Sequence, residues 1–445
     1  MPPSWLPDRL ARSLAAALLS GEWTRSALAA QARAFAGPRG LEHAPPLTTE
    51  LLTLRDEIHH WSIDDLAAWL RQELAFVAII KAFEDASADV PIALSPPLFR
   101  PAPVFANLDI LKVTSNGDLA AWLGLSAADL DWFSDARCQH GRSHIANLQH
   151  YTYRFMSRRR RPARLIEAPK PRMKTLQRHI LREIISKVTP HDAAHGFVAR
   201  RSVLTHAARH ASEAVVITAD LENFFLSTRL SRVQRMFCAL GYPPAVAATL
   251  MRLCSTTTPQ SVLDRATGPS RSRVELDQYR TRHLPQGAPT SPALANLCTY
   301  GLDVRLAGLA RTFGAAYSRY ADDLAFSGDE AFESQRRRFL HALKEIVSDC
   351  GYRLNTRKTR VMRAAVRQEV TGLTVNTHIA VRRADVDRLK AILTNCVRHG
   401  PASQNHACVA DFPAHLSGRV GWVKQVDPKK GAKLRALFDA IDWSR

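Results

Sequence analysis

An α+β fold fronted by a helical domain is what this 445-residue chain predicts. Three observations carry that reading. Residues 1 to about 90 place Leu10, Leu14, Leu18 and Leu28 in an Ala-rich context with helical spacing. Ala214 to Ala219 is an apolar, β-branched run, and Ala315 to Gly328 has strand-like composition on both sides of Asp322-Asp323, with a Gly stop. From Asp385 onward the pattern is helical again, and basic.

Hydrophobic content of 46% and charge of 23% are ordinary for a globular chain. The net charge of +20 and the pI near 10.2 are not. Residues 1–104 hold 9 Lys and Arg against 12 Asp and Glu, a balance of −3, so the remainder carries +23. A basic body behind a mildly acidic front predicts a polyanionic partner for the body alone. Arg outnumbers Lys 49 to 12, which suits bidentate phosphate binding and equally follows from a GC-rich genome. Seven Cys show no C-x-x-C pair, which argues against a disulfide framework and for a reducing compartment. The longest apolar stretch near the start, Leu14 to Leu19, is too short to span a bilayer or serve as a leader. The expectation is a cytoplasmic protein with no membrane partner.

In chain order, Ser62 to Leu70 reads as a capped amphipathic helix start. His59-His60 has no partners at metal-ligand spacing and reads as surface or core histidine. The Pro-rich passage Pro91 to Pro103 closes an accessory domain, residues 1–104. Asp118 to Phe133 gives one or two short helices anchored by Trp122, Leu123, Leu125, Leu130, Trp132 and Phe133. Tyr151 to Phe155 and Arg164 to Pro169 read as two strands of a hairpin around the run Arg158 to Arg161. A helix begins at Lys174 with basic residues on one side. Ser202 to His210 comes just before the Asp220 strand, and its plainest reading, beside the motif reading given below, is an ordinary helix with polar histidines on its exposed side. Residues 255–283 are polar and read as a loop insertion. A single amphipathic helix is expected from about Glu330 to Cys350, and Val370 to Asn376 is hairpin-like.

The chemistry gathers at acids in apolar settings. An unpaired buried carboxylate costs several kcal/mol or takes up a proton. Asp322-Asp323 is therefore either an exposed hairpin tip or a turn that presents both carboxylates to divalent cations. Asp220 decides between them: it ends the Ala214–Ala219 run and supplies a third carboxylate that can converge with the pair. Hard cations such as Mg²⁺ take oxygen ligands of this kind and keep positions for substrate phosphates. Between these blocks, Leu284 to Pro292 reads as a Pro- and Gly-rich turn, with Ser291-Pro292 starting a helix.

With Tyr320-Ala321-Asp322-Asp323, the strand ending in Asp220 and the Gln286-Gly287 turn standing in this order and spacing, the chain resembles a reverse transcriptase across residues 105–445. The resemblance implies a right-hand polymerase: fingers with a lead-in at 105–215, palm at 216–376 and a helical thumb at 377–445. It implies two Mg²⁺, or Mn²⁺ in their place, on Asp220, Leu221, Asp322 and Asp323. It assigns Arg164, Leu221, Phe225 and Gln286 to the incoming deoxynucleotide, Phe225 as a gate against a ribose 2′-hydroxyl. It gives Lys358 the protonation of departing pyrophosphate; a solvated Lys in a basic loop is the other reading.

Val370-Thr371-Gly372 matches a signature of retron reverse transcriptases. Ala207 and His210 match another, Asn-Ala-x-x-His, although His206 stands where Asn is expected. These residues imply RNA recognition by His210, Val370, Thr371 and Gly372. Retron enzymes copy a structured non-coding RNA, which is both template and primer, into DNA from a 2′-hydroxyl of an internal guanosine. The product is a branched RNA–DNA molecule used in phage defence with an effector protein. Residues 1–104 would be that effector or its platform. The alternatives are a stand-alone or intron-derived reverse transcriptase with another template, and an RNA-binding scaffold with a dormant palm.

Overall fold

Successive side chains of a strand face opposite sides, yet Val215, Val216 and Ile217 are all fully buried. Such a run suits a strand covered on both faces, and the computed structural model places it in the middle of a sheet. The structure describes residues 6–20, 23–54, 61, 63–84, 98–135, 148–158, 161–265 and 273–444. His59-His60, Ser62, Arg159, Arg160 and residues 91–97 of the Pro-rich passage lie outside the described residues.

The strands are β1 (Tyr151–Arg158), β2 (Arg161–Pro169), β3 (Val215–Asp220), β4 (Ala316–Tyr320), β5 (Asp323–Gly328), β6 (Arg360–Arg363), β7 (Glu369–Val370), β8 (Leu373–Thr374) and β9 (Ala380–Val381). The chain forms two compact units, Met1–Thr189 with Phe225–Cys298, and Pro190–Phe224 with Thr299–Arg445.

In the first unit, the helices Leu6–Ser20, Arg25–Gly40, Ala44–Thr53, Ile63–Leu70 and Leu74–Glu84 close one apolar core. Leu10, Leu14, Leu18 and Leu28 all lie inside it, as their spacing predicts. Trp23 is buried there and donates its indole N–H to the Leu18 carbonyl at 3.0 Å. Each fully buried side chain of this size contributes roughly 1.5–3 kcal/mol. The expected short helices are Asn116–Leu123, with a capping box between Ser115 and Asp118, and Ala127–Ser134, capped by Ser126. β1 and β2 pair antiparallel, from Tyr151 opposite Pro169 to Met156 opposite Arg164. The helix after them runs Pro171–Glu183. It starts ahead of Lys174 because Pro171 is pre-set for a first turn.

The passage 255–283 corrects the sequence expectation. Gln260–Leu263 and Arg273–Arg280 are helical, and Thr256 forms a β-bridge with His283. Of its polar residues, Ser255, Thr256, Thr258 and His283 turn inward and are buried.

In the second unit, β4, β5, β3 and β6 form one antiparallel sheet in that order. Tyr317 stacks on Phe326 at 4.8 Å, and Phe339 of the helix Arg336–Asp349 packs edge-on against Phe326. The single helix expected from Glu330 to Cys350 is two. Asp329 caps Glu330–Ser334, and the chain breaks at Gln335 before Arg336–Asp349. β7, β8 and β9 form a small separate sheet. The helices Arg383–His399, Phe412–Val426 and Pro428–Asp439 share a core that includes Leu389, Leu393, Leu416, Val420 and Leu434. None of the described helices is long and apolar enough to cross a membrane.

Candidate active site

Asp220 sits at the end of β3 because the apolar run ahead of it fills the sheet and stops there. The β4–β5 hairpin lies alongside, and its register sets Asp220 directly opposite Asp323. The turn between the strands puts Ala321 in the left-handed region at φ 57°, with Asp322 after it. The backbone N–H of Leu221 donates to the Asp322 carbonyl at 2.9 Å, tying the end of β3 to the turn. A residue with a β-carbon pays for that conformation, so something must hold the turn.

Arg319 and Gly196 hold it. The Arg319 guanidinium is completely buried and donates to the Ala321 carbonyl at 3.0 Å. Its remaining donors reach both oxygens of Asp303, at 2.8 and 2.6 Å, and the Tyr317 hydroxyl donates to Asp303 at 2.7 Å. Residues 193–196 run along β4: Arg319 N–H donates to the Ala193 carbonyl, and His195 N–H donates to the Arg319 carbonyl, each at 2.7 Å. Gly196 then passes so close to the turn that a β-carbon on it would lie 2.5 Å from the Ala321 nitrogen. Glycine is required there by space.

Lys358 arrives from a segment bound to the end of β3. Glu222 N–H donates to the Arg353 carbonyl at 2.8 Å, and Asn355 N–H donates to the Asp220 carbonyl at 2.7 Å. The Lys358 ammonium pairs with the Asp220 carboxylate. Asp220 is 4% exposed. Loss of hydration, then the charges of Asp322 and Asp220, push the Asp323 carboxyl up to about 6, with Lys358 acting in the opposite sense. Among the described residues no three His, Cys, Asp or Glu side chains are drawn together in a group that could hold a metal ion. Asp220 and Asp323 face each other across the β3–β5 pair, and their carboxylate oxygens are the donor type that hard cations take.

The same sheet face carries a histidine cluster. His210 spans the β4–β5 hairpin: Nδ1 meets Ser327 Oγ of β5 at 2.8 Å, and Nε2 meets Ser318 Oγ of β4 at 2.7 Å. His206 Nδ1 meets the same Ser318 hydroxyl at 2.7 Å. Both rings have no solvent exposure. Burial first, then neighbouring cationic and imidazole groups, pushes His206 down to about 2, His210 to about 3 and His195 to about 4, so all three are neutral. Two expectations are corrected here. The Ser202–His210 histidines do not face solvent, and His210 has neither exposure nor a spare ring nitrogen with which to touch RNA. Val370 is corrected likewise: its side chain is 1% exposed, in a core with Ala207, Val216 and Leu373. Thr371 and Gly372, at φ 46° and 83°, form the tight turn between β7 and β8, and Gly372 is exposed.

In the first unit, Arg164 is exposed on β2, Gln286 is half-buried, and Phe225 is half-buried in the helix Phe224–Ser227. Glu167 N–H donates to the Gln286 carbonyl at 2.8 Å. Gly287, at φ 135°, comes so near β2 that a β-carbon would lie 2.9 Å from the Glu167 carbonyl oxygen. Beneath this join, the buried Glu167 carboxylate accepts from Thr258 Oγ1 at 2.6 Å and pairs with His283 Nε2 at 2.8 Å. Burial alone would lower the His283 pKa, but the charge and hydrogen bond of Glu167 raise it. The sequence reading missed this pair and the Arg319–Asp303 pair. The one signal for Glu167 was an acid placed among Leu165, Ile166 and Ala168 in a strand.

A family model described as reverse transcriptase (RNA-dependent DNA polymerase) matches residues 159–377. The retron Mx65 reverse transcriptase of Myxococcus xanthus is 39% identical over 324 residues, 71% of this chain and 69% of the relative. The retron Mx162 reverse transcriptase of the same organism is 35% identical over 347 residues, 75% of this chain and 68% of the relative. The retron Ec86 reverse transcriptase of Escherichia coli is 28% identical over 280 residues, 63% of this chain and 77% of the relative.

Proposed function

Because this chain belongs to the bacterial retron-type reverse transcriptases, and so is an RNA-directed DNA polymerase, we propose that it copies a structured non-coding RNA into single-stranded DNA, with Asp220, Asp322 and Asp323 at the reacting centre. The observation that supports this centre most is the register of Asp220 against Asp323, beside a turn that carries Asp322. The family depends on divalent metal, and the donor set fits a hard cation: oxygen atoms only, with a mutual repulsion that a cation relieves.

In this reading Asp220, Asp322 and Asp323, with Leu221, hold two Mg²⁺. Bound there, the ions supply Lewis acidity to the attacking hydroxyl and to the departing phosphates. The protein does the positioning. The sheet and the Arg319-held turn fix the carboxylates before substrate arrives. Lys358 is the cationic acid at hand for the leaving pyrophosphate. Arg164 and Gln286 receive the triphosphate and its nucleotide, and Phe225 excludes a ribose 2′-hydroxyl from the incoming sugar. Residues 105–215, 216–376 and 377–445 then act as fingers, palm and thumb, and Thr371-Gly372 meets the RNA.

We further infer initiation from a 2′-hydroxyl of an internal guanosine, a branched RNA–DNA product and a role in phage defence with an effector. Residues 1–104 are the effector or its platform in this reading, supported by the apolar helical core they close among themselves. Deleting them is expected to abolish defence and spare DNA synthesis; loss of both together contradicts the assignment.

The test is nucleic acid from cells carrying the gene with its native flanking DNA, run on a denaturing gel with and without RNase. A discrete short DNA is expected that shifts with RNase and vanishes in an Asp322→Ala, Asp323→Ala protein. No such band, with synthesis retained on a generic RNA template and DNA primer, would discard the retron product and keep the polymerase.

A further inference from the structure

Two residues that carry a β-carbon stand in the left-handed region on one short loop, Phe197 at φ 61° and Arg200 at φ 62°. Gly, Asn and Asp occupy that region at least cost; a bulky side chain there is an outlier, and such outliers gather at functional sites. The loop cannot relax. At one end Gly196 is wedged against the hairpin turn, where a β-carbon would lie 2.5 Å from the Ala321 nitrogen. At the other end the Arg201 guanidinium donates to the carbonyls of Ala194 at 2.7 Å and Asp192 at 2.5 Å. The Arg201 N–H closes back on the Val198 carbonyl at 3.1 Å, and Ser202 caps the helix Val203–Ala208.

What the strained loop holds out is an aromatic ring. Phe197 is 52% exposed. Its ring lies 6.4 Å from that of Tyr320, tilted by 40°, and Tyr320 ends β4 just ahead of the Ala321-Asp322 turn. Arg200 is exposed on the same loop. A single exposed apolar side chain is ordinary on a protein surface. One fixed on strained backbone beside the carboxylate turn is not, because a residue of lower cost would serve if the ring had nothing to meet. The substrates of an RNA-directed DNA polymerase supply a partner. Every nucleobase has a π-face, so an aromatic platform accepts any sequence, as a polymerase must. A guanidinium alongside suits a backbone phosphate, which positions the strand without reading it.

We propose that Phe197 is a stacking platform for one base of the bound template–primer duplex, with Arg200 on a neighbouring phosphate. The strained loop fixes the ring against the turn that carries Asp322, so the base it receives lies near the end being extended; that placement rests on the reading of Asp220, Asp322 and Asp323 as the reacting centre. Phe197 moves no proton and touches no reacting atom. It sets where the duplex comes to rest beside the carboxylates.

The experiment measures the affinity of the full-length protein for an RNA template paired with a DNA primer, without deoxynucleotide. The substrates carry a single abasic nucleotide, moved one position at a time along each strand from the primer 3′ end. Phe197→Asn removes the ring and suits the left-handed backbone; Phe197→Tyr keeps the ring. Phe197→Asn is expected to bind the intact duplex roughly tenfold more weakly than the wild type, and Phe197→Tyr as the wild type does. At one abasic position the wild type is expected to lose the same tenfold and Phe197→Asn to lose nothing further, the non-additivity of two partners in contact. A general loss of folded protein does not single out one nucleotide. If Phe197→Asn fails to fold, Phe197→Leu, apolar but without a π-face, takes its place in the same comparison. Wild-type affinity in the ring-free variant, or losses that add at every abasic position, overturns the platform. Coupling confined to a nucleotide far from the primer 3′ end keeps the platform and contradicts instead the placement of the reacting centre.

Discussion

The guanidinium of Arg319 reaches the carbonyl of Ala321 at 3.0 Å from a side chain with no solvent exposure. The strained turn beside Asp322 and Asp323 is thus pinned by a buried charge, and that charge is balanced by Asp303. Breaking one partner of a buried pair leaves the other uncompensated and costs about 3–5 kcal/mol. Arg319→Ala and Asp303→Ala are each expected to destabilise the protein by that much in urea titrations. Replacing both, as Arg319→Met with Asp303→Leu, is expected to recover most of the stability and little of the polymerase rate, because Ala321 still lacks its donor. Recovery of rate along with stability would show that the pair serves folding alone.

His195, His206 and His210 set an acid limit. Each has a folded pKa far below the 6.5 of a free imidazole. The unfolded chain binds protons below about pH 6.5 that the native protein refuses, so stability is complete above that value and is lost as pH falls toward the folded values. Each histidine contributes up to about 1.4 kcal/mol per pH unit, and the three together about 4. Urea midpoints measured from about pH 7.5 to pH 4.5 check this, and His210→Gln is expected to flatten the slope by about a third. A midpoint that stays level down to pH 5 contradicts neutral burial.

The Glu167–His283 pair is expected to govern nucleotide affinity. Glu167→Ala strands a buried imidazole and the Thr258 hydroxyl and should cost about 3–5 kcal/mol. Glu167→Gln keeps hydrogen-bonding capacity, loses the charge and should cost less, about 1–3 kcal/mol. Because Glu167 and Gln286 are joined through their backbones, Glu167→Gln is expected to raise the KM for deoxynucleotide more than it lowers kcat. A fall in kcat at unchanged KM would separate the pair from the Gln286 turn.

The parts of the site legible in the sequence were those written into a single short stretch. An apolar run that stops at Asp220, and a Gly-bounded hairpin broken by Asp322-Asp323, declare strand, turn and carboxylates together. Partnerships between distant residues were not legible. Asp303 lies 16 positions before Arg319, and His283 lies 116 after Glu167; residues 255–283 therefore read as a polar loop when Thr256, Thr258 and His283 in fact line an interior. His210 misled for a related reason. An imidazole reads as a surface group until two serine hydroxyls, on strands more than a hundred residues away, are seen to satisfy it.

The central claim is that Asp220, Asp322 and Asp323 carry out cation-dependent synthesis, and the Asp323 carboxyl tests it most directly. Its pKa near 6 marks a charge the fold holds at a cost above that pH. Without metal at about pH 7.5, Asp323→Asn should therefore melt at a higher temperature than the wild type, and added Mg²⁺ should raise the wild-type melting temperature more than the variant's. The decisive measurement is primer extension on an RNA template with Mg²⁺, run beside affinity for the same template–primer. The account predicts a rate at least about a hundredfold lower for Asp323→Asn, roughly 3 kcal/mol in the barrier, with affinity within a few-fold of wild type. A variant that extends primers at the wild-type rate, or one that loses rate only because it no longer binds the duplex, would contradict it.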